Sequence, residues 1–541
     1  MGQTNTYADI ATNLADYFQL PNPALRAMFG RISAGSSVEY RTKFYDGQSL
    51  DSILHRWLKH LVKIRPDWPT LWEFEIDLAK KVGPLSIMKP LEERMDDIDS
   101  YYQHLSPDAE PISDLAILQV TREWGSLRGL RLKSQDNTVE DMKKSTNSGS
   151  PFYTTKRLVV GRTVPCEVLY VPDLYGQYPG VIQELPEATW KAAAMLGWRG
   201  QEGGPNDDDV KQRVVWMFPF AVNVAELQLY QPLIAGAQKH KLVPAWIGME
   251  AVDEEITKLF DTKGSRDLIV CTDFTKFDQH FGVRLQDAAQ HILTALMCSC
   301  PDTKKWLEQV FPIKYNIPLV YRDGSVRVGR HGMGSGAGGT NADETIVHRA
   351  LQWEAALTQG KALNVHSMCL GDDGILSYPG ITIEDVTASY TRHGLDMNFS
   401  KQYASTDDCV YLRRWHHTNY RKEGIAVGVY STCRALGRLA EQERFYDPNF
   451  WSKEMVALRQ LSILENCRNH PLREEFVEFC MKGDKYRLGL DIPGFLDNVE
   501  RIAKKATDEM PDFLGYTKSQ QKGADTGINN WWIVKYLKSK Q

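Results

Sequence analysis

Asp372 and Asp373 stand side by side in Cys369-Leu370-Gly371-Asp372-Asp373-Gly374-Ile375-Leu376, with apolar residues on both flanks. That pattern predicts a tight β-hairpin whose turn presents two carboxylates while its strands are buried. Adjacent acids repel, and burying either one alone is costly. A hard divalent cation resolves the conflict, because such ions prefer carboxylate oxygens. A solvated Asp-Asp-Gly turn is the other reading of the same string. Other parts of a metal site decide between them, and Asp267-Leu268-Ile269-Val270-Cys271-Thr272-Asp273-Phe274-Thr275-Lys276-Phe277-Asp278 supplies one. An apolar run of strand length ends there in Asp273, and Asp278 follows past a bend, able to approach the same place from another angle.

Several stretches could bind phosphate. In Val210-Lys211-Gln212-Arg213-Val214 the two cations alternate with other residues, so on a strand both project to one side. Arginine can grip phosphate oxygens bidentately. Gly332-Met333-Gly334-Ser335-Gly336-Ala337-Gly338-Gly339-Thr340-Asn341 is dense in glycine and runs into a helical pattern. Its backbone can approach a ligand closely, and the helix offers a positive N-terminal end. It is neither a P-loop nor a dinucleotide fingerprint. The small polar loop Lys143-Lys144-Ser145-Thr146-Asn147-Ser148-Gly149-Ser150-Pro151 could hold nucleic-acid phosphates or be a plain linker. Lys156, Arg157 and Arg162 follow it in a strand-like stretch. Lys401 falls on a loop, and Val410-Tyr411-Leu412-Arg413-Arg414-Trp415 reads as a strand entering a basic patch.

The elements around these residues are mostly helical by pattern. Tyr7 to Phe18 spaces its apolar residues as an amphipathic helix, and a helix starting at Asp51 has that residue as a possible N-cap. Gln279–Leu296 and Glu384–His393 read as helices, as does most of 431–541. Nine scattered cysteines show no disulfide-framework spacing, which favours a reducing compartment, and Cys298-Ser-Cys300 is a weak zinc signal. A net charge of −5 argues against a protein that coats nucleic acid, though not against a basic channel. No apolar run is long enough for a membrane span. Met1-Gly2-Gln3-Thr4-Asn5-Thr6 fits the loose myristoylation pattern at Gly2.

The order of these parts is more specific than any one of them. The Asp273…Asp278 strand end, the Ser335 glycine loop, the Asp372-Asp373 hairpin and the Lys401 loop resemble motifs A, B, C and D of viral RNA-dependent RNA polymerases. Lys211 and Arg213 resemble motif F, Ser148-Gly149-Ser150-Pro151 motif G, and Tyr411-Leu412-Arg413-Arg414 motif E. The wording of Asp273–His280 and Ser335–Asn341 is similar to that of picobirnaviruses, with partitiviruses next.

The resemblance implies an α+β right-hand polymerase: fingers, palm and thumb, with a small antiparallel palm sheet and mainly helical surroundings. The expected division is an N-terminal extension (1–60), fingers (61–265 with 297–330), palm (266–296 and 331–430), and thumb with tail (431–541). It implies two ions, Mg²⁺ or Mn²⁺, bridged by Asp273 and Asp372 with Asp373 assisting. Lys401 is then the candidate general acid. Lys211 and Arg213 hold the triphosphate, and Asp278, Ser335, Gly336, Thr340 and Asn341 contact the nucleotide. Ser148, Gly149, Lys156, Arg157, Arg413 and Arg414 are the RNA contacts. Many relatives place Asn four residues after the motif B Thr; here that position is Glu344, so either Asn341 or Glu344 approaches the ribose. Asp at 278, where reverse transcriptases carry an aromatic gate, reads as RNA synthesis. Expected partners are template and nascent RNA, NTPs and a capsid protein, in the virion interior and host cytoplasm. The aromatic tail around Trp531 and Tyr536 is the one candidate for a priming element.

Overall fold

In the computed structural model, which describes residues 6–509 and 527–541, the acidic hairpin belongs to a four-stranded antiparallel sheet. Its order is Met368–Leu370, Asp373–Leu376, Ile269–Thr272, Tyr403–Ser405. Gly374 pairs with Thr272, and Tyr403 with Cys271. Both faces are covered. Val270 and Leu376 pack with Ile346, Val347 and Ala350 of the helix Thr340–Thr358, whereas Ile269, Cys271 and Ile375 pack with Val252 and Ile256 of the helix Met249–Thr262. A one-residue slip would exchange these faces, so burial on both sides fixes the register.

A second sheet of five strands joins distant parts of the chain in the order Tyr7–Ala11, Ser325–Gly329, Leu319–Val320, Ala194–Gln201, Lys211–Met217. It carries the Lys211 strand toward the acidic hairpin. The C-terminal helices, among them Thr432–Ala440, Lys453–Glu465 and Arg473–Lys482, form a separate core with Trp57, Leu61 and Leu71. That core crosses the expected 60/61 boundary, since the helices Leu50–Leu61 and Pro69–Ala79 both pack in it. The tail helix Trp532–Lys538 joins it too, with Trp532 stacked on Tyr536 and the Tyr536 hydroxyl donating to Glu478 at 2.8 Å. Among the described residues no helix is long and apolar enough to cross a membrane. Gly2 lies outside the described residues.

Four local expectations need correction. Tyr7–Ala11 is a strand, antiparallel to Ser325–Gly329, and only Leu14–Asp16 makes a helical turn. The cause is tertiary: Asp9 meets the buried Arg327 guanidinium at 3.0 Å, a partner that no local periodicity encodes. The N-cap before Leu50 is Ser49, whose hydroxyl accepts from Ser52 N–H at 3.1 Å; Asp51 sits one position inside, in the first turn. The region of Lys156 and Arg162 is two short helical turns, Lys156–Leu158 and Val160–Thr163, and not a strand. Val410–Trp415 is not one strand but a hairpin, Asp408–Tyr411 and Arg414–His417, with Leu412 and Arg413 both at positive φ in its turn. All nine cysteines are free thiols, and Cys300 Sγ lies 3.4 Å from the Thr303 hydroxyl at a helix start.

Candidate active site

One step beyond the Gly374–Thr272 pair, the register sets Asp273 opposite Asp373. Directly opposed residues of an antiparallel pair project to the same face, so Asp273 and Asp373 share a side of the sheet at the mouth of the hairpin. Asp372, in the turn, opens to the cleft. All three carboxyls are raised. Burial and the adjacent Asp372 push Asp373 up to about 7, and burial with the charges of Asp278 and Asp273 raises Asp372. Burial raises Asp273 as well, while Lys401, Lys81 and Lys211 pull it back.

This is a concentration of negative charge that the protein only partly neutralises, and the donors are all carboxylate oxygens. The set therefore fits hard divalent cations. Among the described residues no three His, Cys, Asp or Glu side chains are placed so that they could hold a metal ion by themselves. An open set fits Mg²⁺, which is commonly held by one or two carboxylates and completed by substrate phosphates and water.

The cations stand where the sequence puts them. Lys211 and Arg213 are both exposed on their strand, on the opposite side from the buried Val214 and Trp216. The charge of Lys211 acts on Asp273, and that of Arg213 on Asp372. Lys401 and Arg413 reach the same place: the first lowers Asp273 and the second lowers Asp373. Asp373 Oδ2 also accepts the Leu412 backbone N–H at 2.8 Å, which ties the Arg413 turn to the acidic hairpin.

Four expected RNA contacts lie elsewhere. Ser148 is buried, and its hydroxyl accepts from Thr154 N–H at 3.1 Å. Gly149 packs against the Phe218 carbonyl, so these two brace the Phe220–Lys239 helix start and do not face an open groove. Lys156 is 8% exposed, donates to the Thr146 hydroxyl at 2.7 Å, and burial lowers it to about 8. Arg414 is buried against Tyr430, its guanidinium 6.0 Å from the ring centroid. Arg157 is exposed.

The glycine loop is held in one shape. Trp216 N–H donates to the Ser335 carbonyl at 2.9 Å, and Ser335 Oγ donates to the Val214 carbonyl at 2.9 Å. Gly336, at φ +129°, lies so close that a Cβ would sit 2.2 Å from the Trp216 carbonyl oxygen. The Thr340 hydroxyl closes back on the Gly334 carbonyl at 3.0 Å. Asn341 accepts from Trp246 Nε1 at 2.8 Å. Thr340 and Asn341 thus shape the loop, while Glu344, one turn on, is buried, and that burial with the charge of Asp278 raises its carboxyl.

The helix after the loop staples the acidic hairpin. Thr345 Oγ1 accepts the Gly371 N–H at 3.0 Å, and His348 Nδ1–H donates to the Gly371 carbonyl at 2.8 Å. Gln352 Nε2 donates to the Met368 and Ile375 carbonyls at 2.9 and 3.2 Å. Burial lowers His348 to about 4, so its ring is neutral at working pH. Gly374 admits that ring: a Cβ there would meet His348 Cε1 at 2.6 Å. None of these residues was a sequence candidate, although the polar stripe Thr345, His348, Gln352 on one face of an apolar helix is a legible signal. Lys81, just past the helix Pro69–Ala79, and Tyr101, whose buried hydroxyl is raised by burial and the charge of Asp278, carried no local signal at all. Removing the Gly371 anchor by His348→Ala is expected to lower kcat about 10- to 100-fold. Nucleotide KM and RNA affinity should stay within about twofold in single-nucleotide extension, and an unchanged kcat would refute the anchor.

This geometry is that of a template-directed nucleotide polymerase of the right-hand type, and the comparisons agree. The family model for viral RNA-dependent RNA polymerase matches residues 208–444. A protein of a human picobirnavirus (strain Human/Thailand/Hy005102/-), named as a potential RNA-dependent RNA polymerase, is 59% identical over 539 residues, covering 98% of this chain and 100% of its own. The crystal structure of the RNA-dependent RNA polymerase of a human picobirnavirus superposes with a TM-score of 0.93 at 58% identity, covering 99% of this chain and 100% of that one. Its insertion-loop deletion mutant gives 0.91 at 56%, with the same coverage. The chain belongs to the viral RNA-dependent RNA polymerases, and within them to the picobirnavirus kind. Reverse transcription therefore falls away. RNA and NTPs are its partners, and its chemistry uses divalent metal.

Proposed function

We propose that Asp273, Asp372 and Asp373 form the centre at which this chain joins ribonucleotides on an RNA template, with two Mg²⁺ or Mn²⁺ ions. The observation that carries this reading is the strand register, which continues to oppose Asp273 to Asp373, with the charges of Lys211 and Arg213 acting on Asp273 and Asp372. When bound, the ions lower the pKa of the attacking 3′-hydroxyl and stabilise both oxygens of the in-line displacement. The protein's own residues do the rest. Arg213 and Lys211 hold the triphosphate, with Lys81 joining them from the N-terminal helices. Lys401, facing Asp273, protonates the departing pyrophosphate. Asp278 accepts a hydrogen bond from the ribose 2′-hydroxyl, the group that separates RNA from DNA precursors. Arg413 steadies the 3′ end of the nascent RNA beside Asp373.

The work of the enzyme is replication and transcription of a double-stranded RNA genome, inside a capsid in the host cytoplasm, starting without a primer. The division into extension, fingers, palm and thumb given above is part of this reading. One extension assay tests it: RNA template, rNTPs or dNTPs, with and without primer, with and without EDTA. Product is expected from rNTPs alone, without primer, and is lost in EDTA while RNA binding persists. Efficient use of dNTPs, or synthesis surviving EDTA, would overturn the assignment.

A further inference from the structure

We propose that Gln402 is a positioning residue: its side-chain amide pins the Phe399–Lys401 turn to the backbone of Asp273, so that Lys401 and the Asp273 carboxylate keep one spacing through the reaction. The inference rests on the reading of Lys401 as the acid that protonates pyrophosphate.

The observation that carries it is a break in strand register. Tyr403 pairs with Cys271, whereas further along the same two segments Phe274 pairs with Met397. Between those pairs, Thr272 and Asp273 face the five residues 398–402, so three residues are surplus on one side. The surplus is the single helical turn Phe399–Lys401, which bulges out of the fourth strand and leaves Lys401 exposed. Bulges beside active sites commonly re-aim a side chain in this way.

Such a bulge takes the strand neighbours away from the Asp273 peptide, and a peptide inside a sheet needs partners. Gln402 supplies them. Its Oε1 accepts the Asp273 N–H at 3.0 Å, and its Nε2 donates to the Asp273 carbonyl at 2.5 Å and to the Asn398 carbonyl at 3.0 Å. The amide thus stands in for a strand peptide. Its orientation is forced, because only the oxygen can accept and only the nitrogen can donate, and both hydrogens of that nitrogen are used. Asn398 N–H adds a bond to the same Asp273 carbonyl at 3.1 Å, and Lys401 N–H closes the turn on the Asn398 carbonyl at 3.0 Å. The charge of Lys401 acts on Asp273, as that tether requires.

The tether matters when the bonds change. As the 3′-oxygen bonds the α-phosphorus, the α–β bridging bond breaks and the Lys401 ammonium gives its proton to the departing oxygen. An acid on a loose surface turn would be out of place in most approaches. Fixing the turn therefore raises the rate of chemistry and leaves nucleotide binding alone.

The test measures single-turnover incorporation of GTP and of its β,γ-methylene and β,γ-difluoromethylene analogues. The variants are Lys401→Leu, Gln402→Ala, Gln402→Glu and the double variant Lys401→Leu with Gln402→Ala. The difluoromethylene leaving group is the more acidic, so it depends less on a proton donor. Gln402→Ala is expected to lower the maximal GTP rate about tenfold, with nucleotide affinity within about twofold. It should also raise the difluoromethylene/methylene rate ratio as far as Lys401→Leu does. The double variant should match Lys401→Leu, because an acid already removed cannot be misplaced. Gln402→Glu turns a carboxylate toward two carbonyls, so its ratio should rise as well. In EDTA, deuterium exchange at the Asp273 amide should quicken about tenfold in Gln402→Ala and keep its wild-type rate in Lys401→Leu.

A ratio raised by Lys401→Leu and not by Gln402→Ala overturns the positioning role and leaves the acid assignment standing. A ratio unmoved by Lys401→Leu overturns the acid assignment, and the positioning role with it. Losses that multiply in the double variant mean that Gln402 serves the fold alone, which also overturns the proposal. Should Gln402→Ala not fold, a wild-type ratio in Gln402→Glu overturns it by itself.

Discussion

Asp372→Asn is expected to cut nucleotide incorporation by at least about 10³-fold, a loss of several kcal/mol of transition-state stabilisation. RNA affinity should change less than about threefold. Asp273→Asn should behave alike, because the two face one cleft from neighbouring strands and neither can serve alone. The same substitution carries a second expectation with the opposite sign. Burial and the charges of Asp278 and Asp273 hold the Asp372 carboxyl above its ordinary value. A group raised in this way is stabilising only while protonated, and ionising it in the fold costs stability as pH rises. Replacing it by a neutral amide removes that cost. In EDTA at neutral pH, Asp372→Asn should therefore unfold at a higher temperature than wild type, with the gap closing toward pH 4. Asp373→Asn should gain at least as much, since burial and the adjacent Asp372 push that carboxyl up to about 7 even with the Leu412 N–H lowering it. Calorimetry across pH, beside single-nucleotide kinetics, checks both halves; full activity or a lower melting temperature would contradict the shared acidic centre.

What the sequence made legible here is what repeats over a few residues. Asp372-Asp373 between apolar flanks, Asp273 at the end of an apolar run, and Lys211 with Arg213 at period two each encode their placement locally. The sheet then needed only their order. Residues whose roles come from distant partners left no such trace. Lys81 reaches Asp273 because a core shared with the C-terminal helices carries its helix there. Tyr7–Ala11 becomes a strand because Arg327, more than three hundred positions on, lies beside Asp9. Lys156 and Arg414 read as RNA contacts, since sequence counts charge but not which way a side chain turns. Both are buried, one on a threonine hydroxyl and one against a tyrosine ring. The intermediate case is His348: its stripe with Thr345 and Gln352 was there to be seen, yet only the Gly371 contacts give the stripe a purpose.

Asp343→Ala is expected to be the most destabilising single change near the site, and the reason bears on how the glycine loop is held. Asp343 and Lys314 are fully buried, 2.9 Å apart. The Tyr230 hydroxyl donates to Asp343 Oδ1 and the Tyr315 hydroxyl to Oδ2, each at 2.7 Å, while Lys314 donates to the Tyr230 oxygen at 2.9 Å. Taking away the carboxylate strands a lysine in a closed core and unpairs two phenols, at a cost of about 3–5 kcal/mol. The first unfolding transition in urea should shift accordingly. Asp343 lies in the first turn of the helix that carries Asn341, Glu344, Thr345 and His348, and Gly339 N–H just before it is held by buried Glu226 at 3.1 Å. Loosening that turn should therefore raise nucleotide KM as well as lower stability. The double variant Lys314→Met with Asp343→Leu separates the two effects. An apolar pair of similar volume can restore stability, because a buried ion pair rarely outweighs its own desolvation. If the network serves only to stabilise the fold, KM recovers with stability. If its directed hydrogen bonds set the loop, the double variant stays stable while KM remains high, since Tyr230 and Tyr315 no longer have a fixed acceptor on the helix. We expect the second result; a wild-type KM in the stable double variant would remove the network from the site.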